Sequence, residues 1–301
     1  MLLRHLRYFA ILAREKHFAR AARACNISQP TLSGAISTLE KELGVRLVAR
    51  GRRFLDLTPE GRLVLDGAYE LLANEDSLRH GLERLRGGLS GVMRLGVIPA
   101  AMPVVGLLTE PFCATHPAVT IEIHSVSSKV IQADLDAYEL DAGLTYLDNE
   151  PLSHVRRLPL YFERYLVAIA AGGPLDGRTQ ISWREAASLR LCLLSEDMQN
   201  RRILNSVFGI HGLEVRPDVV SNSFLGILSH LRTGAWSSIV PHTFTHLFGE
   251  QLDIALIPLV EPAHMQSIGL VTSDREPPPP MARALEACAR GLDLEAALGL
   301  S

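Results

Sequence analysis

Gln29, Pro30, Ser33, Gly34 and Ser37 are compact and uncharged, and a helix started near residue 28 would bring them to one side, with Thr31 close by. Such a face suits close approach to base edges in the major groove of DNA. Arg50, Arg52 and Arg53 crowd a short turn soon afterwards, and cations there suit the phosphate backbone or a minor groove. A third group is His242-Thr243-Phe244-Thr245-His246, two histidines at the spacing of a zinc site. It lacks the glutamate of a His-Glu-x-x-His motif, and no third ligand is indicated. There is no Gly-x-Ser-x-Gly elbow, no phosphate-binding Walker sequence and no Gly-x-Gly-x-x-Gly after a strand, so catalysis is not expected.

The elements that would position the first group are legible. Phe18–Cys25 is alanine-rich and reads as a short helix, and Asn26-Ile27-Ser28 interrupts it with turn-forming side chains. Ser28 is a suitable N-cap and Pro30 sits where no backbone donor is missed. Leu32, Ala35, Ile36, Leu39 and Leu43 then form an apolar stripe opposite the polar face, which predicts a helix-turn-helix with recognition helix Ser28–Leu43. Leu3–Glu15 supplies a third helix through Leu6, Phe9, Ala10 and Ala13, and Gly44 can end the recognition helix in a left-handed conformation. Two extended runs around Arg50–Arg53 predict a β-hairpin wing.

Charge supports this assignment. Residues 1–60 hold eleven Lys/Arg and five Asp/Glu, a net +6 within a chain of net charge −3. A basic module on an acidic protein fits phosphate contacts with counterion release. The 301 residues allow two or three domains, and 47% hydrophobic content allows substantial cores. Cys25, Cys113, Cys192 and Cys288 form no Cys-x-x-Cys pair, so neither a disulfide nor a metal site is required, and no cofactor is expected. The apolar runs are too short to span a bilayer and no signal-peptide pattern is present, which predicts a cytoplasmic protein without membrane association.

Thr58-Pro59-Glu60 begins a long helix reaching about Arg86. Val64, Ala68, Leu71, Glu75, Leu78, Leu82, Leu85 and Leu89 repeat in a heptad seam, which predicts pairing with a second copy and a partly palindromic DNA site. Gly87–Gly91 is a hinge. Beyond it, short strands alternate with helices: Met93–Ile98, Val119–Val126 and Ala142–Tyr146, then Tyr165–Ala170 and further pairs, with Met265–Ser273 and Pro280–Gly291 returning to the first unit. This pattern predicts open, mainly parallel α/β sheets in two lobes with a cleft between them.

Over nearly its whole length the chain resembles the LysR-type transcriptional regulators. The resemblance rests on Phe9, Phe18, Ala21-Ala22, Ser28-Gln29-Pro30, Leu32-Ser33, Ile36, Leu39-Glu40, Leu43-Gly44, Leu47, Arg50, Leu57-Thr58 and Gly61. Gly34 departs from the pattern, where a longer polar or basic side chain is usual. The resemblance implies an α/β fold class with a winged helix-turn-helix (1–58), a linker and dimerisation helix (59–88) and a two-lobed effector-binding domain (92–301) like a periplasmic solute-binding protein. Lobe 1 would hold about 92–162 and 266–301, and lobe 2 about 163–265. It further implies a homodimer or homotetramer on double-stranded DNA, RNA polymerase as a partner, and a small-molecule effector between the lobes.

The DNA-contacting residues would be Ser28, Gln29, Pro30, Thr31, Ser33, Ser37, Arg50, Arg52 and Arg53. By the same resemblance the effector would meet Ala100, Ala101, Ser127, Ser128, Thr145, Asn200, Arg201, Arg202 and Asn222. Hydroxyls and helix N-termini there suit a small anionic metabolite, with Arg201 or Arg202 as its charge partner. Ser195–Arg202 is similar to members associated with formate dehydrogenase operons, which makes formate a candidate. A cytosolic α/β small-molecule-binding protein or enzyme stands as the alternative, and neither would require the basic amino-terminal segment.

Overall fold

The computed structural model describes residues 2–50, 54–248, 253–261, 263–276 and 278–298. The chain divides into two compact units, one holding residues 1–88 and 136–138, the other 89–135 and 139–301.

The first unit begins with three helices, α1 (Leu3–Glu15), α2 (Phe18–Ala24) and α3 (Gln29–Leu43). Asn26 takes the left-handed conformation between α2 and α3, a conformation asparagine tolerates. Ser28 caps α3 by accepting the Thr31 N–H at 3.3 Å. Leu6, Phe9 and Leu12 of α1, Ala21 and Ala22 of α2, and Leu32, Ile36 and Leu39 of α3 make one buried cluster. Each large side chain there contributes about 1.5–3 kcal/mol by leaving water. Leu43 lies outside this cluster and is exposed, because the recognition helix ends at Gly44 (φ 70°) where it leaves the core.

The wing consists of β1 (Val48–Arg50) and β2 (Phe54–Leu57), paired antiparallel with Val48 opposite Leu57. Its entry is fixed from two sides. The Glu40 carboxylate of α3 accepts the Leu47 and Val48 N–H groups at 3.0 and 3.4 Å. Thr58 donates its hydroxyl to the Arg46 carbonyl at 2.6 Å and its N–H to Leu47 at 3.0 Å. The same Thr58 oxygen accepts the Gly61 N–H and so starts α4 (Pro59–Gly87). The approach is close enough that a Cβ on Gly61 would overlap the Leu47 carbonyl.

Helix α4 does not keep its whole heptad seam for a second copy. Val64, Leu65 and Ala68 pack into the three-helix core, and Glu75 forms an ion pair with Arg7 of α1 at 3.1 Å. Leu71 and Leu78 are 42% and 66% exposed. The Leu82 and Leu85 side chains lie outside the described residues.

The second unit is built on a mixed sheet rather than the mainly parallel ones expected. Strands β3 (Gly91–Val97), β4 (Val119–Ser125) and β5 (Ala142–Tyr146) are parallel, with α5 (Val105–Thr115) and α6 (Ser128–Asp136) as crossovers. Strand β6 (Val155–Ala170) is antiparallel to everything it touches. The remaining elements are β7 (Ile181–Ser182), α7 (Trp183–Ala187), β8 (Cys192–Leu194), α8 (Gln199–Ile210), β9 (Val219–Ser221), α9 (Phe224–Leu231), β10 (Ser238–Pro241), α10 (Phe244–Phe248), β11 (Ile254–Val260), β12 (Met265–Ser273), α11 (Pro280–Arg290) and α12 (Leu294–Ala297).

Sheet order is β4-β3-β5-β12-β6-β11-β7, with β10 also pairing β6. β6 was expected to begin at Tyr165 but starts ten residues earlier. Pro159 and four charged side chains mask the period of this segment. The proline is accommodated opposite Gly269, where the β6–β12 register shifts. The first half of β6 pairs with β12, and its second half with β10 and β11. One strand therefore belongs to both lobes.

Gly61→Ala should lower the unfolding free energy of the first unit by about 1–3 kcal/mol through overpacking. Gly34, whose added Cβ would meet nothing within 4 Å, is the control. Gly34→Ala should be neutral or stabilise by up to about 1 kcal/mol through helix propensity. Urea unfolding of the two variants beside the parent checks both.

Candidate functional site

Two surfaces gather the sequence-predicted residues. On α3, Leu32, Ala35, Ile36 and Leu39 are buried, while Gln29, Pro30, Thr31, Ser33 and Gly34 are exposed and Ser37 is half-buried. The Ser28 and Thr31 hydroxyls lie 2.7 Å apart, so both are partly committed to the helix start. Gln29, at the first helical position, and Ser33, one turn on, have free reach. Arg50 is at the end of β1, but its side chain, together with Arg52 and Arg53, lies outside the described residues.

The second surface is a cleft between the lobes, lined by Ile98, Pro99, Ala100, Ser127 and Ser128 on one side and by Leu194, Met198, Gln199 and Asn200 on the other, with Tyr146 at its base. The lobes are closed upon it, leaving room for about one water. Helices α6 and α8 both begin here. Ser127 caps α6 through the Val130 N–H, but the Met198 side chain offers α8 no capping oxygen. Unsatisfied N–H groups at a helix start favour an anion. Ser128 Oγ, Gln199 Oε1 and Asn200 Oδ1 are buried without hydrogen-bond partners, so the cleft carries unused hydrogen-bonding capacity.

Several ties hold the lobes together. Thr243 Oγ1 donates to the Ala100 carbonyl at 3.3 Å, and the Gln199 amide donates to the Asn149 carbonyl. Arg202 forks onto Glu150 at 2.7 and 2.5 Å and donates to the carbonyls of Glu196 and Asp197. These hydrogen bonds hold the Glu150 carboxyl below its ordinary range. Arg202 is thus a clamp between lobes, already neutralised.

Arg201 points elsewhere. Its guanidinium donates to Asn205 Oδ1 and the Leu194 carbonyl, and it lines a separate groove with Phe208, Leu213 and Val220. Ala101 and Thr145 are fully buried and do not line the cleft, and Asn222 is exposed on the turn before α9. Of the nine predicted effector residues, the structure brings Ala100, Ser127, Ser128 and Asn200 together at the cleft.

Behind the base of the cleft lies a group that the sequence reading passed over. Glu163 is 0% exposed on the inward face of β6, and Tyr146 donates to its Oε1 at 2.7 Å. Asn200 donates to the Tyr146 hydroxyl at 3.0 Å, which connects the group to α8. Burial pushes the Glu163 carboxyl up to about 8, against the smaller opposing effect of its hydrogen-bonding neighbours. Tyr146, Tyr161 and Tyr165 are all driven well above the ordinary phenol range, first by burial and then by the nearby Glu163.

His242 accepts the Arg164 N–H on Nδ1 at 3.0 Å, and burial lowers it to about 4, so it is a neutral core histidine rather than half of a metal site. The alternation Tyr161, Glu163, Tyr165 inward and Phe162, Arg164 outward was the signal available in the sequence.

Residues 3–62 match the family described as "Bacterial regulatory helix-turn-helix protein, lysR family", and residues 86–292 match "LysR substrate binding domain". The chain is 27% identical over 276 residues to the DNA-binding transcriptional dual regulator OxyR of Escherichia coli K12, covering 90% of this chain and 89% of that one. It is 36% identical over 177 residues to a probable hydrogen peroxide-inducible genes activator of Mycobacterium xenopi, covering 58% and 93%. A full-length OxyR structure from Pseudomonas aeruginosa superposes with a TM-score of 0.72 at 25% identity, over 96% of this chain and 94% of that one.

The raised Glu163 pKa has a definite sign. The folded state retains its proton up to about pH 8, whereas an accessible glutamate releases it near 4.5. Stability from this group is therefore fully present below about 4.5, declines as pH rises, and levels off above about 8. Glu163→Gln should match the parent at pH 4.5 and become the more stable chain by pH 8, with an upper bound of about 5 kcal/mol at 1.36 kcal/mol per unit. Urea unfolding of both chains from pH 4.5 to 9 checks the difference.

Proposed function

The chain belongs to the LysR family of DNA-binding transcriptional regulators, and we propose that it controls a metabolic operon in response to a small anion held between Ser128 and Asn200. The observation that carries the DNA half is the division of α3 into a buried stripe and an exposed, uncharged face. In this reading Gln29, Pro30, Ser33 and Ser37 approach base edges, with Ser28 and Thr31 beside them, while Arg50, Arg52 and Arg53 meet phosphates or a minor groove.

Exposed Leu71 and Leu78 support pairing of α4 with a second copy. A homodimer or homotetramer would then read a partly palindromic site and present RNA polymerase with an altered surface. The protein acts in the cytoplasm and catalyses no reaction. No helix among the described residues is long and apolar enough to cross a membrane.

The effector half is supported by the convergence of two helix N-termini and the unpartnered Ser128 hydroxyl, which can donate to an anion. The unpartnered Gln199 Oε1 and Asn200 Oδ1 are acceptors that suit a donor group on the same ligand. The charge partner expected at Arg201 or Arg202 is replaced by helix-terminal N–H groups, since both guanidinium groups are engaged elsewhere. Relatives named for hydrogen peroxide raise a redox reading. Burial raises the thiol pKa of Cys25, Cys192 and Cys288, which opposes the reactive thiolate at those three positions, while Cys113 on α5 is exposed and outside the cleft. Reversible anion binding is the better-supported reading.

Footprinting on the chain's own upstream region, at several salt concentrations and with formate, acetate, benzoate or peroxide added, tests both halves. Arg52→Ala should weaken binding to all sequences and reduce the salt slope by about 1. Gln29→Ala should cost about 1–3 kcal/mol at one base pair and leave the slope unchanged. Absence of specific binding at every salt concentration overturns the DNA assignment. A footprint altered by peroxide and by none of the acids overturns the anion assignment.

A further inference from the structure

We infer that closure of the two lobes is a proton-uptake step, with Glu163 as the group that holds the proton. An anion that binds the closed cleft is then taken together with that proton; this consequence rests on the effector reading above, whereas the closure step itself does not.

The argument starts from position. Glu163 lies on β6 opposite Gln266, at the end of the segment paired with β12, and two residues later β6 pairs with β10 through Tyr165. It therefore sits at the crossing point between lobes. Its surroundings come from both sides: Tyr146 from β5 in one lobe, and Asn200 from α8 and Tyr165 in the other. The link Asn200 to Tyr146 to Glu163 spans the cleft, and Tyr146 and Asn200 also line it. Parting the lobes separates Asn200 from Tyr146 and admits water to the carboxyl.

Charge then decides which state the proton favours. The titratable groups facing Glu163 are Tyr146 on β5 and Tyr161 and Tyr165 on β6, with His242 behind the Tyr161 ring at a centroid distance of 6.2 Å. All three phenols and the imidazole are neutral between pH 5 and 9, so none supplies a positive charge to a buried carboxylate. Glu163 Oε2 is buried without a hydrogen-bond partner, which makes the ionised form still more costly and leaves an oxygen to carry the proton.

Closed, the carboxyl is neutral; open and hydrated, it ionises at the pKa of an ordinary glutamate. The ratio of closed to open molecules therefore falls by up to tenfold per pH unit between about 4.5 and 8, and is constant above 8. Neutrality matters for the ligand as well, because an ionised Glu163 behind Tyr146 would oppose an anion in the cleft.

The experiment needs no effector. Spin labels on Lys129→Cys in α6 and Glu196→Cys before α8 report the distance across the cleft. Cys25, Cys113 and Cys288 are changed to Ser, and labelled chains are diluted with unlabelled ones. Pulsed electron paramagnetic resonance should show the long-distance fraction growing from pH 5 to 8 and levelling off above 8. Glu163→Gln should stay at the short distance throughout. Infrared spectra should show a carboxylic-acid band, absent in Glu163→Gln, that disappears with the same pH profile as the short distance.

An identical pH response in parent and Glu163→Gln overturns the proposal. So does loss of the band without a change in distance, or a distance change at a different pH. If Glu163→Gln does not fold, agreement or disagreement of the two profiles in the parent still decides. DNA footprinting is unaffected by this outcome, so failure here is distinguishable from failure of the regulator or effector assignments.

Discussion

The second unit depends on one continuous strand being shared by two lobes. β6 is 16 residues long, and its two halves satisfy their backbone groups against different partners, β12 first and then β10 and β11. A strand paired along its whole length cannot be a loose linker; each lobe inherits its orientation from the same backbone. The bulge at Pro159 and Gly269 belongs to this arrangement, since it absorbs the missing proline donor without ending the strand. It also places Tyr161, Glu163 and Tyr165 on the inward side as the strand passes between lobes. Burial of a carboxyl at that point follows from the geometry of the crossing strand.

The first unit is organised by a comparable constraint on a smaller scale. A single short segment, Arg46–Val48, is held by the Glu40 carboxylate from α3 and by Thr58 ahead of α4. This ties the wing to the recognition helix and the long helix at once, so the exposed face of α3 and the start of the wing share one rigid frame. Gly61 is required because α4 begins in contact with the Leu47 carbonyl. The long helix then divides its apolar residues by position. Val64 and Ala68 serve the unit's own core, while Leu71 and Leu78 remain exposed. A heptad read from the sequence contains both uses, because the spacing is the same for a partner helix and for α1.

Much of the fold could be read from local pattern. The bounds of α1, the cap at Ser28, the left-handed Gly44, the Thr58 start of α4 and the succession of strands and helices after Gly91 all follow from side chains acting on their immediate neighbours. The sheet's mixed direction was not legible, because strand direction depends on which distant strand is met. The amino half of β6 was obscured because a proline and charged residues broke an alternation that only its bulged pairing restores. Of the candidate cleft, Ala100, Ser127, Ser128 and Asn200 were named through the family resemblance, and Ser127, Ser128 and Asn200 lie at the starts of α6 and α8.

By itself, then, the sequence determined the periodic and capping features: three packed helices with a polar recognition face, a basic wing, a long helix, and strands whose ends carry small polar residues. Tertiary structure decided which of those polar residues meet. Tyr146 lies 17 residues from Glu163 and 54 from Asn200 in the chain, yet the three form one hydrogen-bonded link. Arg201 and Arg202 are adjacent in sequence, yet one turns to its own helix while the other clamps Glu150. The reason is physical: propensity and periodicity act over a few residues, whereas burial, desolvation and charge pairing are set by whatever the folded chain brings within a few ångströms.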